Sequence, residues 1–267
     1  MRSLPFVLLV GLACSPDSRS GGSNAPKPPA GCEAATHGIE NGAFAEAARD
    51  DSSSASVSGG FTLTGERTCR KVALALVGPG GAPVARGEFL RSYGVVRLYL
   101  PPRLGHIEHA DTAFADDLVS SAYVVHGLDN QFYVDFHVAQ PVLALARGAA
   151  GRLELDLAPG GGAIPTPAPH ARNVVVIEPR NGAARYPLKV RGYARTFEAN
   201  VQAWMSQAGT AVATTKTHTT AADWSTTWGE FELTIPSGPS GDVELFVGEE
   251  SAQDGTPIGV TIPLRMP

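Results

Sequence analysis

Between Phe197 and Met205 the apolar side chains fall at every second position. Phe197, Ala199, Val201, Ala203 and Met205 share one side, while Glu198, Asn200, Gln202 and Trp204 share the other. A period of two is that of an extended strand with one face turned to a core. The alternation recurs in Phe231, Leu233, Ile235, in Val243, Leu245, Val247, and in Ile258, Val260, Ile262, Leu264. Over residues 173–267 it predicts seven short strands: 174–178, 188–193, 197–207, 212–219, 229–235, 242–248 and 259–265. Gly, Pro and Asp-Gly turns part them, which is the pattern of an immunoglobulin-like β-sandwich. This stretch has no cysteine, so Tyr193, Phe197, Trp228 and Phe231 are expected to fill the space between its sheets. The polar run from Thr214 to Thr220 reads as an edge strand.

The first half, residues 32–160, follows the same rule less regularly. Strands are predicted at 71–77, 95–100, 122–126, 132–138 and 153–157. In 132–138, Phe132, Val134, Phe136 and Val138 point one way; Tyr133, Asp135 and His137 point the other, as solvent-facing residues. His126 is read as outward-facing as well, and residues 112–121 as a helical turn or an irregular loop. Between the halves, residues 161–172 are dominated by Gly and Pro, which cannot sustain a ladder. A linker of that composition is expected to hold two domains apart and let them swing. The fold class is therefore all-β: a β-rich N-terminal domain joined by a Pro/Gly hinge to a seven-stranded sandwich.

Composition adds a compartment. Arg2 followed by the apolar run Leu4 to Ala13 suits a signal peptide and is too short to span a bilayer. The ending Leu12-Ala13-Cys14 resembles a bacterial lipobox, which implies lipidation at Cys14 and a membrane anchor; ordinary cleavage nearby would instead discard that cysteine. Residues 15–31, rich in Ser, Gly, Pro and Asn, then form a tether. Cys32 and Cys69 remain, and an exported pair is expected to close a disulfide worth roughly 3–4 kcal/mol in the chain-entropy model. The net charge of −5 lacks the basic footprint of a nucleic-acid binder.

Candidate chemistry is sparse. His106 and His109 with Asp111 are the nearest approach to a metal set, but Pro101, Pro102 and Gly105 put them in a loop. Asp116 and Asp117 read as a loop feature. No nucleophile elbow, phosphate loop or zinc-protease motif occurs, so neither an enzyme nor a cofactor is expected. Candidate binding residues are Phe197, Glu198 and Asn200 as a polar-aromatic patch, with Trp204 and Trp224 able to line a sugar-binding face; the alternatives are structural roles for Glu198 and Asn200 and a core position for Trp204.

Two resemblances sharpen this. Val176-Ile-Glu-Pro-Arg-Asn-Gly, Tyr186-Pro-Leu-Lys-Val-Arg-Gly-Tyr-Ala, Phe197-Glu-Ala-Asn-Val, Trp228-Gly-Glu-Phe-Glu and Ser251-Ala-Gln-Asp-Gly run in order through residues 173–267. They resemble the immunoglobulin-like domain of bacterial spore-germination proteins, a module also found in other envelope proteins. Val96-Arg-Leu-Tyr-Leu-Pro, Phe132-Tyr-Val-Asp-Phe and Gly151-Arg-Leu-Glu-Leu-Asp-Leu resemble an AMIN-type envelope domain over residues 93–160. That likeness implies contact with peptidoglycan. The expectation is a non-catalytic envelope lipoprotein that binds peptidoglycan or another envelope protein. The alternatives are a hydrolase with converging carboxylates, or a mechanical spacer.

Overall fold

The computed structural model describes residues 31–44, 54–77, 86–100, 103–107, 110–149, 151–218 and 227–267. The signal segment, Cys14, Glu108, His109 and Trp224 lie outside the described residues, as does the tether except Gly31. Among the described residues the strands form three sheets. One covers the first half, in the order Val142–Ala149, Arg152–Pro159, Cys69–Val77, Ser54–Glu66 and Arg103–Ile107. Another covers the second half, in the order Gly182–Ala183, Pro257–Met266, Gly241–Glu250, Asn200–Gln207 and Thr210–His218. The third serves both halves. It passes from Val119–His126 to Trp228–Ile235 through a short parallel pairing, Val125 with Trp228 and His126 with Gly229.

Each half therefore closes a sandwich on its own part of the shared sheet. In the first, Val72, Leu74, Leu153, Leu155 and Leu157 pack on Leu98, Val124, Val134 and Phe136. Phe61 meets Phe136 edge to face, with ring centroids 5.8 Å apart. In the second, Val201, Ala203, Met205, Leu245 and Ile262 pack on Val190, Phe231 and Leu233. Within the shared sheet, strands Val174–Glu178 and Leu188–Ala194 approach closely where glycine allows it: a Cβ on Gly192 would lie 2.0 Å from the Val175 carbonyl oxygen. The predicted disulfide joins Cys32 to Cys69, tying the N-terminal end of the described chain to a hairpin of the first sandwich.

The seven strands of the second half appear in the predicted order, most within two residues of the predicted bounds. Strand Phe132–Val138 also falls where the alternation puts it. The segment 112–121 holds no helix: it opens in the short strand Asp111–Ala113 and rejoins the sheet at Val119–His126. Between them Asp116 accepts hydrogen bonds from the backbone of Leu118 (2.9 Å) and Val119 (3.3 Å) and pairs with Arg70 (2.6 Å).

Two readings fail. The expectation that residues 161–172 hold the halves apart is replaced by a strap packed along both. Ile164 packs against the first core, Ala168 is buried between the halves, and His170–Ala171 pairs with Val174 and Val175. The Arg91 guanidinium donates to the Ala163 carbonyl at 3.0 Å. The second failure concerns Tyr133, Asp135 and His137, read as solvent-facing. All three are buried, at 2%, 0% and 4% exposure, because the second half covers the outward side of their strand.

Candidate functional site

The covered side of that strand forms a seam between the two sandwiches. Tyr123, Val125 and Tyr133 from the first half meet Val175, Ile177, Tyr193 and Trp228 from the second. Tyr123, Tyr193 and Trp228 pack mutually, with centroids 4.9 to 6.2 Å apart. Tyr193 and Trp228 therefore fill the seam instead of the sandwich interior assigned to them; Phe231 alone of the four aromatics is in the second core. Polar ties cross the same boundary. Arg180 donates to the Tyr93 carbonyl (2.7 Å), the Leu128 amide to Glu230 (3.1 Å), and the Thr227 hydroxyl to the Val124 carbonyl (3.3 Å). Arg195 pairs with Asp111 at 3.0 Å and lies 4.9 Å over the Trp228 ring.

Charged groups within the seam are paired for structure. Arg97 meets Asp135 through two hydrogen bonds, 2.8 and 2.9 Å, while its guanidinium lies 3.6 Å over the Tyr133 ring. Burial alone would lower the Arg97 pKa; the charge and hydrogen bonds of Asp135 outweigh that, and Arg97 stays protonated. His137 shares a hydrogen bond with the Tyr193 hydroxyl. Burial, with Arg180, His170 and Arg97 nearby, pushes the imidazole down to about 3, so it is neutral at ordinary pH. Elsewhere in the first half, Asp156 is held by Arg147 and Lys71, and Glu154 by Arg152 and Lys71. Among the described residues no three His, Cys, Asp or Glu side chains gather as a metal set would. His126 is half-buried, stacked on Phe132 with centroids 4.5 Å apart.

The candidate binding residues separate. Phe197 does not share the inward face with Val201. Residues Phe197–Ala199 form a 3-10 turn in which Glu198 (φ 53°) and Ala199 (φ 57°) are left-handed, so the alternation begins only at Asn200. That turn leaves Phe197 51% exposed. Its amide donates to Glu249 at 2.7 Å, and the Asn173 side chain holds the same carboxylate. Asn200 and Trp204 do share a face, the outward side of strand Asn200–Gln207, and both are half-buried.

On that outward face the ladder sets Trp204 opposite Phe246, and Phe246 opposite Thr261. The Trp204 and Phe246 rings stack at 3.9 Å, 23° from parallel. Beside them Gln202, Gly248 and Gly259 form the next row, and the Phe246 ring leans over the two glycines. A Cβ on either glycine would sit 2.9 Å from Phe246 Cζ. On the other side Ser206, Glu244 and Pro263 form a row, followed by Asp242 and Arg265. These last two rows line an open cleft of about 700 Å³ that Asn181 borders. Arg265 binds Asp242 at 2.9 and 3.4 Å, and its hydrogen bond holds the Asp242 carboxyl below the usual range. Phe246, Glu244 and Ser206 were missed in the sequence. Their signal is only that they alternate with Val243, Leu245 and Met205; which strand lies opposite which is not written in any one segment.

With this geometry in view, comparison with known proteins finds one match. Residues 173–256 match the family described as the immunoglobulin-like domain of bacterial spore germination. No curated protein and no solved structure matches the chain. Residues 173–256 thus carry the match expected for the immunoglobulin-like second half, and the AMIN-type resemblance of residues 93–160 draws no support. A domain of this family is compatible with a binding or scaffold module. Joined to the Cys32–Cys69 disulfide, it points to an extracellular or envelope protein.

Proposed function

We propose that the chain is a non-catalytic envelope protein that binds a cell-wall or protein partner through the outward face of its second sandwich. One observation carries this reading: that face offers a stacked aromatic pair beside an open cleft, whereas the buried charged groups of the seam are engaged in structural pairs. Lipidation at Cys14 would supply the anchor, and residues 15–31 the reach. The experiment is co-sedimentation of the full chain with isolated peptidoglycan sacculi. Retention at neutral pH, reduced at least fivefold by Trp204→Ala, is expected. Passage of the wild-type chain entirely into the supernatant would remove the wall as partner. The anchor is checked separately: Cys14→Ser should move the protein from the detergent phase to the aqueous phase of a Triton X-114 partition.

A further inference from the structure

The two rows that line the cleft continue directly from the aromatic pair. Successive outward residues of a strand stand about 6.8 Å apart, so Trp204 and Ser206, or Phe246 and Glu244, place a ring and a polar side chain on neighbouring steps of one trough. The cleft, at about 700 Å³, falls within the usual size of a small-ligand site.

The polar set is selective. Glu244 and Asp242 are hydrogen-bond acceptors when ionised, Ser206 can donate and accept, and the Asn181 amide does both. Among the described residues lining the cleft, Arg265 is the one cation, and Asp242 engages it. A phosphate-rich polymer would therefore meet carboxylates with no cation left to offset them. A ligand rich in hydroxyl donors, with an apolar flank that can lie on an aromatic ring, fits every part of the trough. Pyranose sugars have that character: axial C–H groups make one flat apolar side, and hydroxyls ring the edge.

Resting on the binding reading above, we propose that the trough is a subsite for an uncharged glycan. One sugar stacks on the Trp204–Phe246 pair, and its neighbour in the cleft donates hydroxyl hydrogen bonds to Glu244. Glu244 is exposed and Trp204 half-buried, so both are reachable without opening the fold.

The test uses the full chain and two defined uncharged probes, tetra-N-acetylchitotetraose and cellotetraose, followed by isothermal titration calorimetry. Polyphosphate serves as the anionic control. The expected result is binding of at least one oligosaccharide and none of polyphosphate. Trp204→Ala should weaken that binding at least tenfold. Glu244→Gln, an exposed substitution that leaves the core untouched, should weaken it about tenfold with an unchanged melting temperature. No heat with either oligosaccharide at millimolar concentration would overturn the proposal, as would affinities that Trp204→Ala and Glu244→Gln leave unchanged. Retention on sacculi without oligosaccharide binding would overturn the glycan subsite alone and leave the envelope-binding reading standing. Failure on both probes and sacculi would remove the two together.

Discussion

Asp135→Ala should destabilise the protein by about 3–5 kcal/mol, the cost typical of breaking a buried ion pair by removing one partner. The carboxylate is fully buried and makes two hydrogen bonds to Arg97, whose side chain is itself 14% exposed. Without Asp135 the guanidinium stays charged, since arginine does not shed its proton, and it remains over Tyr133 with both hydrogen bonds to Asp135 gone. Glu230 lies close enough to favour the charge and will recover part of the loss. The double variant Arg97→Met with Asp135→Leu removes both charges and should regain most of the stability, because an apolar pair needs no solvation to replace. Chemical denaturation at neutral pH measures each. A loss below about 1 kcal/mol for Asp135→Ala would mean that the seam is open to water.

Acid should weaken the same seam through His137. In the unfolded chain the imidazole takes a proton near its ordinary value of 6.5; in the folded chain it resists until about 3. Between those values the unfolded state binds more protons, so the His137 contribution is whole above pH 6.5 and falls as pH drops toward 3. The span corresponds to a loss on the order of 5 kcal/mol. Every element packed on the ring agrees with that sign. Arg180, His170 and Arg97 repel a second cation, and Tyr123 and Tyr193 offer no anion, burial having pushed both hydroxyls above their ordinary range. Asp116, held below the usual carboxylate range by the Leu118 and Val119 amides and by Arg70, contributes only at lower pH. From pH 6.5 to 4.5, Asp135 and Asp156, both raised above the usual carboxylate range by burial, act with the opposite sign, so the histidine's share is read by substitution. His137→Phe should lose most of the slope in that window; an unchanged slope would assign it to other groups.

How much of this could be read from the chain depends on where each signal lives. The strands of the second half were legible because Val243, Leu245 and Val247, like Val260, Ile262 and Leu264, keep a strict period of two against a single core. The turn at Phe197 was not: its alternation looks unbroken on paper, and only the left-handed backbone at Glu198 and Ala199 takes it out of register. Strand Ser54–Glu66 was missed for another reason. Its Ser and Gly residues hide the pattern, and it is held mainly by pairing with Cys69–Val77, a partner the local sequence does not name.

The seam shows the deepest limit. Tyr133, Asp135 and His137 have the composition of a wetted face, and so do Arg191 and Glu230 on the second half. Two faces that each look solvent-directed become an interior when they meet, and the meeting depends on a two-residue bridge some hundred positions apart. The linker misled for the same cause: Gly and Pro forbid a ladder, but they do not forbid packing, and Ala168 is buried among the seam aromatics. At the candidate site, the alternation places Trp204 on the outward face, whereas Phe246 emerges only once the strands are paired.

The seam makes the chain one body and not two domains on a swinging tether. Scanning calorimetry of the full chain at neutral pH tests that directly. A single endotherm, with calorimetric and van't Hoff enthalpies equal and the whole transition lowered by Asp135→Ala, is predicted. Two independent endotherms in the wild type, only one of them moved by Asp135→Ala, would contradict it.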